Sequence, residues 1–546
     1  MKWGKMIREF KQKSHLYRII MLVSFLGVVI QALVLVYINL TQMKYHMGYD
    51  ASSYYLKALE MYKQGTIFIT NWTEQTTLYF DSPVPLAALL MNIFHDVFIS
   101  YGVANLIIDL CIFVVVWKIF EKLSIEYMVR LIIFNILLCP YVVADFTNDN
   151  DANYFSSLIT SGAWYGVKLM ISLLFMYMFI VLSDKKQTGI KDRILIGITI
   201  VLCFISGVSS GYYLAVTILI PAFFCGVMEM CVENEWRKIV SSKMIFTYAN
   251  AVAIVIGKYI AEHVLLFASK DNEEVLVSLS GFWSNLGSIF LGYLGLLNSL
   301  PNGTAQSALE VNGVIYLCGF GIAIVGIIGL VVFITRAIRE KDAEYNNFIF
   351  PMVVISNVAM FTLLFTTYGG DVFERRYWAI PFYCIAICTA MWINNLDKKK
   401  IFTYLGCVML IGMSLLYTMY SDRKYISTKV DVGAYDEVVT QTDNMGVDLV
   451  YFYGKEYEIF ARNMRVYDSS KIYKQLTINE NGDKYVPHWG DYWYYDYAAE
   501  HPEGVVLISN GGTIESLPED IKTSLNWVAD TSIGQIYFVE TNILGL

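Results

Sequence analysis

Through the first 420 residues, long apolar runs alternate with short polar segments. Runs at 19–40, 101–120, 131–145, 162–182, 194–208, 212–230, 244–267, 312–334, 347–368, 377–394 and 401–420 predict eleven membrane helices. Most approach the ~20 residues that cross ~30 Å of hydrocarbon. A shorter apolar stretch at 84–100, interrupted by His95 and Asp96, is expected at the membrane interface. Beyond residue 420 the pattern changes. Strand-like runs at 447–453, 504–509 and 534–540 are separated by helical or loop segments, which predicts a small α/β or α+β domain. The expected fold is a polytopic α-helical membrane protein, residues 1–420, followed by a small C-terminal domain, residues 421–546.

Charge orients the helices. Lysines and arginines cluster in every second loop: Lys2 to Arg18, Lys118 to Arg130, Lys185 to Arg193, Arg237 to Lys243, Arg336 to Lys341 and Lys398 to Lys400. These groups hold 22 of the 40 basic residues. The positive-inside rule then puts the N-terminus in the cytoplasm. An odd helix count places the C-terminal domain outside, and two long loops, 41–100 and 268–311, fall outside as well. The basic N-terminus and first apolar run resemble a signal peptide, but the run is too long and no small-x-small site follows, so it is read as an anchor. The expected location is a bacterial plasma membrane.

Composition narrows the class. Hydrophobic residues make up 56% and charged residues 16% of the chain, against the ~45–50% and ~25% usual in soluble domains. A net charge of −8 without a Lys/Arg stripe argues against a nucleic-acid partner. The nine cysteines lie in or beside the apolar runs and read as packing residues. The C-terminal segment is acidic, with 20 acidic and 10 basic side chains. Its aromatic run 488–497 reads either as ordinary packing or as a surface for sugars or membrane.

Chemistry is sought in the outer loops. Asp50 heads a segment in which Tyr54, Tyr55, Ala58, Leu59 and Tyr62 recur at helical spacing, which predicts a helix lying on the interface. Asp50 reads either as the N-cap of that helix or as a carboxylate at a cavity mouth. The loop continues through Glu74 and Asp81 into the SPVPL segment. Asp145, Asp149 and Asp151 crowd a further loop, as turn formers or as a rim for a sugar or cation. Arg375 and Arg376, beside Asp371 and Glu374, run against the charge bias and suit either local ion pairs or a lipid phosphate. Asp109 and Lys258 are charges inside predicted helices and call for a partner or a wet cavity. They are candidates to pair with each other.

Together, the Asp50 segment with its following YY..A pattern, the SPVPL element and the ERRY…P run (Glu374, Arg375, Arg376, Tyr377) resemble the GT-C superfamily of integral-membrane glycosyltransferases. That superfamily includes the protein mannosyltransferases and aminoarabinose transferases. Ala51 stands where the family commonly carries a second acid. The resemblance implies sugar transfer from a polyprenyl-phosphate donor to a hydroxyl on a glycan, lipid or protein acceptor at the outer face. Asp50 would be the catalytic base. Asp81, Asp145, Asp149, Asp151, Glu374, Arg375, Arg376 and Tyr377 would bind substrate. A phosphate leaving group requires no metal, although a divalent cation stays open for the acidic loops. The alternative is a transporter or flippase of lipid-linked saccharide, for which repeated halves with matching broken helices are not evident.

Overall fold

The computed structural model describes residues 14–70, 72–73, 77–143, 165–183, 189–209, 214–233, 236–265, 276–301, 306–340, 378–396, 401–454, 457–479, 484–485, 490–491, 504–509, 513–540 and 543. The helices in chain order are α1 (His15–Tyr37), α2 (Tyr49–Gln64), α3 (Val84–Phe94), α4 (Val97–Lys122), α5 (Tyr127–Leu137), α6 (Gly166–Ser183), α7 (Ile190–Ser209) and α8 (Ile220–Glu233). They continue as α9 (Ser242–His263), α10 (Leu279–Leu296), α11 (Val311–Glu340), α12 (Ala379–Asn394), α13 (Ile401–Ser427), α14 (Val432–Met445), α15 (Tyr457–Tyr467) and α16 (Glu519–Ser524). The strands are β1 (Trp72–Thr73), β2 (Leu449–Tyr453), β3 (Ile472–Ile478), β4 (Lys484–Tyr485), β5 (Gly490–Asp491), β6 (Gly504–Ser509), β7 (Leu525–Asp530) and β8 (Gly534–Val539).

The apolar runs form a helical bundle, and among the described residues seven helices are long and apolar enough to cross a membrane: α1, α4, α6, α7, α9, α11 and α13. The described residues therefore do not support the expected count of eleven. The runs at 131–145 and 377–394 become the short helices α5 and α12, which are buried on nearly every side. A helix apolar all round is a core helix as readily as a lipid-facing one, and hydropathy alone does not separate the two. The run at 212–230 is broken into a π-helical turn, Ala215–Leu219, and α8. The run at 347–368 lies outside the described residues. Conversely, α10 occupies part of the expected loop 268–311; its apolar residues are diluted by Gly, Ser and Asn.

Local chemistry sets the helix ends. Ser14 caps α1 by accepting from Tyr17 N at 3.3 Å, and Asp96 caps α4 by accepting from Ile99 N at 2.8 Å, each satisfying an orphan amide. The crossing of α7 and α9 needs small residues. A Cβ on Gly207 or on Gly257 would lie 2.4 Å from a carbonyl oxygen of the facing helix, that of Ile254 or Phe204. Asp109 and Lys258 do not form the anticipated pair. Asp109 is buried in α4, whereas Lys258 is exposed and meets Glu262 on its own helix at 3.6 Å.

The C-terminal domain is a six-stranded mixed sheet in the order β4-β3-β2-β6-β8-β7. Strands β3, β2 and β6 are parallel, whereas β8 and β7 are antiparallel additions. Period-two alternation builds both faces. Val450, Phe452, Tyr473, Val505 and Leu507 pack under α15, while Leu449, Tyr451, Ile472, Val506 and Ile508 pack under α16. The first of these cores continues into the bundle through Tyr55, Ala58, Val84 and Tyr101.

Candidate functional site

Helix α2 joins the two parts of the molecule. Of the positions that predict the helix, Tyr54, Tyr55, Ala58 and Leu59 are buried and Tyr62 is half-buried. One side of α2 packs on α3 and α4 and another on α15, so the helix is an internal layer and does not lie free on a membrane surface. Polar links fasten it to the C-terminal domain. Ser52 Oγ donates to Asn463 Oδ1, Arg462 Nη1 donates to Ser53 Oγ at 2.7 Å, and Glu60 meets Arg465 at 3.9 Å. Arg465 also donates to the carbonyl of Lys471, at the end of a turn that begins at Asp468. Burial pushes Asp468 up, but donors from Ser470 and Tyr473 and the Lys471 ammonium hold it below the usual carboxylate range.

Gly48, and not Asp50, takes the N-cap position of α2. Asp50 is the second residue of the helix, and its side chain lies outside the described part of the structure. A carboxylate in the first turn faces the positive end of the helix dipole. At the other end Gly65, at φ +64°, supplies the left-handed residue that closes the helix.

The chain that follows α2 is pinned to the ends of two membrane helices through Asp81. Its Oδ1 receives Lys168 Nζ at 3.0 Å, and its Oδ2 receives Ser206 Oγ at 2.7 Å. The Asp81 amide donates to Ser209 Oγ at 3.1 Å, and the Leu78 amide to Ser209 O at 3.4 Å. Lys57 of α2 donates to Leu78 O at 2.8 Å, which ties the same loop to the internal layer. Lys168 stands in the first turn of α6, where the helix dipole disfavours a cation; the Asp81 carboxylate offsets that penalty, and the Tyr165 ring lies 5.4 Å from its ammonium. Ser206 and Ser209 end α7. Tyr79 carries a positive φ of +58° in this loop and packs edge-on against Tyr54 at 4.8 Å, which holds its strained backbone in place. Asp81 is fully enclosed, with both oxygens occupied by protein donors.

A second polar junction lies on α13. Gln31 Nε2 donates to Asp422 Oδ1 at 2.9 Å, deep between α1 and α13. The neighbouring Ser421 Oγ donates to Val142 O at 2.9 Å and accepts from Val142 N at 3.0 Å. After α5 the described chain runs on to Val143, next to the Val142–Ser421 contact, and resumes at Tyr165, three residues before Lys168. Asp145, Asp149 and Asp151 belong to the intervening stretch and lie outside the described residues. Glu374, Arg375, Arg376 and Tyr377 do so too; they directly precede Trp378, which is buried against Tyr293 at the start of α12.

Of the expected site residues, the structure describes the side chain of Asp81 alone. Lys168 and Asp422 were not singled out as site residues. Lys168 carried a usable signal, as one of few basic residues on the basic-poor side of the bundle. Asp422 was readable as a lone carboxylate near the end of an apolar helix. The fold and these junctions define a multi-pass helical membrane protein that bears a mixed-sheet domain. Neither a family model nor a curated protein matches the chain.

Proposed function

We propose that this protein is an integral-membrane glycosyltransferase that moves a sugar from a polyprenyl-phosphate carrier to an acceptor hydroxyl on the outer face of the membrane. The observation that carries this reading is the fixation of the Asp50 helix, clamped between the bundle and the C-terminal domain, beside a loop locked down by Asp81. A catalytic carboxylate has to be held in place by its scaffold, and α2 is held from both sides. In the proposed reaction Asp50 accepts the proton of the acceptor hydroxyl. The hydroxyl oxygen bonds to the anomeric carbon as the carbon–oxygen bond to phosphate breaks, and the phosphate departs with the electron pair. Arg375 and Arg376 balance the charge on that phosphate. Asp81 is a positioning residue here, because neither oxygen is free to meet substrate.

The test is transfer of a radiolabelled sugar from synthetic polyprenyl-phosphate hexose or pentose to endogenous acceptor, in membranes with and without the protein. Label appearing in acceptor only when the protein is present supports the reading. Movement of intact lipid-linked sugar across vesicles without transfer would replace it with a flippase.

A further inference from the structure

A buried carboxyl needs a cation or several hydrogen-bond donors to stay ionised. Asp422 has neither. It is 9% exposed, and the donor placed on it is Gln31 Nε2 at 2.9 Å. Among the described residues no cation pairs with it. The hydroxyls beside it on α13 are committed elsewhere. Ser421 Oγ is used twice by the Val142 backbone, Tyr417 Oη donates to Leu297 O at 2.7 Å, and Tyr420 Oη donates to Asn312 Oδ1. Thr418, one turn back, bonds the Cys139 thiol.

The elements packed on α13 bring no charge to this point. These are α1, α5 and α11. No charged residue occurs on α1 between Arg18 and Lys44, after Arg130 as far as Val143, or on α11 before Arg336. Arg130 is occupied at the far end of α5, over the Trp117 and Tyr127 rings. Arg423 and Lys424 follow Asp422 on α13, but adjacent helix positions do not face each other. The titratable groups at hand are neutral ones: Cys139, near Asp422 on the segment after α5, and Tyr425, on the next turn of α13, which stacks on His46 at 4.2 Å.

Gln31 points to the same conclusion from the other side. It is 2% exposed, and nothing among the described residues donates to its Oε1. An ionised Asp422 offers only acceptors and leaves that oxygen orphaned, whereas a protonated one carries an O–H. With Gln31 Nε2 on Oδ1, an O–H on Oδ2 that reaches Oε1 closes a ring of two hydrogen bonds, the ordinary pairing of a carboxylic acid with a carboxamide. Exchanging the amide's O and N changes nothing, since two acceptor oxygens would then meet and need a proton between them. We propose that Asp422 is a proton-binding site, held as a neutral acid in a two-bonded ring with Gln31. The ring fastens α1 to α13, the last described membrane helix before the C-terminal domain. The inference stands whether or not the bundle transfers sugars.

The test is infrared spectroscopy of the full chain in lipid nanodiscs at neutral pH, parent against Asp422→Asn. Asn keeps the ring, because its amide donates to Gln31 Oε1 and its oxygen accepts from Nε2, so the variant should fold as the parent does. The difference spectrum should show loss of a protonated-carboxyl band that shifts in heavy water. In Gln31→Leu that band should persist and move to the higher frequency of an acid whose carbonyl accepts no hydrogen bond. The proposal is overturned if Asp422→Asn removes an ionised-carboxylate band instead, or if Gln31→Leu leaves the protonated band unmoved. Should Asp422→Asn not fold, aspartate carrying heavy carbon in its side-chain carboxyl decides the matter in the parent and Gln31→Leu. A labelled protonated band must then be present and must shift between the two, and its absence or constancy overturns the proposal.

Discussion

Replacing Lys168 with Met strips the ammonium from a fully enclosed carboxylate while keeping most of the apolar stem. Asp81 would retain Ser206 Oγ on one oxygen and lose the ammonium that meets the other. Breaking a buried ion pair from one side typically costs ~3–5 kcal/mol, because the remaining charge is left uncompensated. Loss of the Tyr165 contact adds about 0.5–1 kcal/mol. Removing a cation from the first turn of α6 returns about 0.3–1 kcal/mol. The net expectation is a destabilisation of about 3–5 kcal/mol. Asp81→Asn should cost a similar amount from the other side. The double variant should be milder than the sum by about 2 kcal/mol, since residues in one network couple. Equilibrium unfolding in mixed detergent micelles, run on the parent, both single variants and the double variant, measures the cycle. Single variants within about 1 kcal/mol of the parent, or strictly additive costs, would refute the assignment of Asp81 as the clamp of this loop.

Three further outcomes are expected. Reporter fusions after residue 400 should signal cytoplasm and fusions after residue 430 the outside; the same side for both would remove the proposed orientation. Arg375→Lys or Arg376→Lys keeps charge but loses the bidentate fork, so at least one of them should raise the donor concentration needed for transfer, and unchanged donor dependence in both would return the pair to a local role. Asp468 is held below its ordinary range, so its contribution to stability is fully present above the unfolded-state pKa near 3.9 and is lost as pH falls through the depressed folded value. Acid unfolding monitored on the C-terminal domain should therefore flatten in Asp468→Asn, and an unchanged acid limb would contradict the network around Lys471.

Much of the fold was legible in the residues. The alternating VDLVYFY, GVVLIS and GQIYFVE runs become β2, β6 and β8 because their apolar positions have two cores to fill. Strand β3 was harder to read: Lys474, buried and polar, interrupts its alternation. Strand β7 is an edge strand with Trp527 exposed, so burial leaves little imprint on its sequence. The helix at Asp50 was visible from its tyrosines, but the same apolar stripe serves a membrane surface or an internal layer equally well. Only the presence of α15 on its other side decides between them. Asp81 was noticed as an acid in a long loop, yet its partners come from residues 87 and 125 positions away, and no local pattern encodes that meeting. Short helices such as α5 and α12 escaped correct reading for the opposite reason: uniform apolarity records burial without recording what does the burying.

The most direct test of the proposed chemistry is sugar transfer by purified Asp50→Asn protein with normal yield and unfolding temperature. Asn keeps the size of the side chain and much of its hydrogen bonding but cannot take the acceptor proton, and loss of a general base typically costs ~10²–10⁴-fold in rate. Since Gly48 holds the cap position of α2, the substitution should leave the helix in place and donor binding intact. The account predicts near-complete loss of transfer with unchanged donor affinity; transfer at the parent's rate would contradict it.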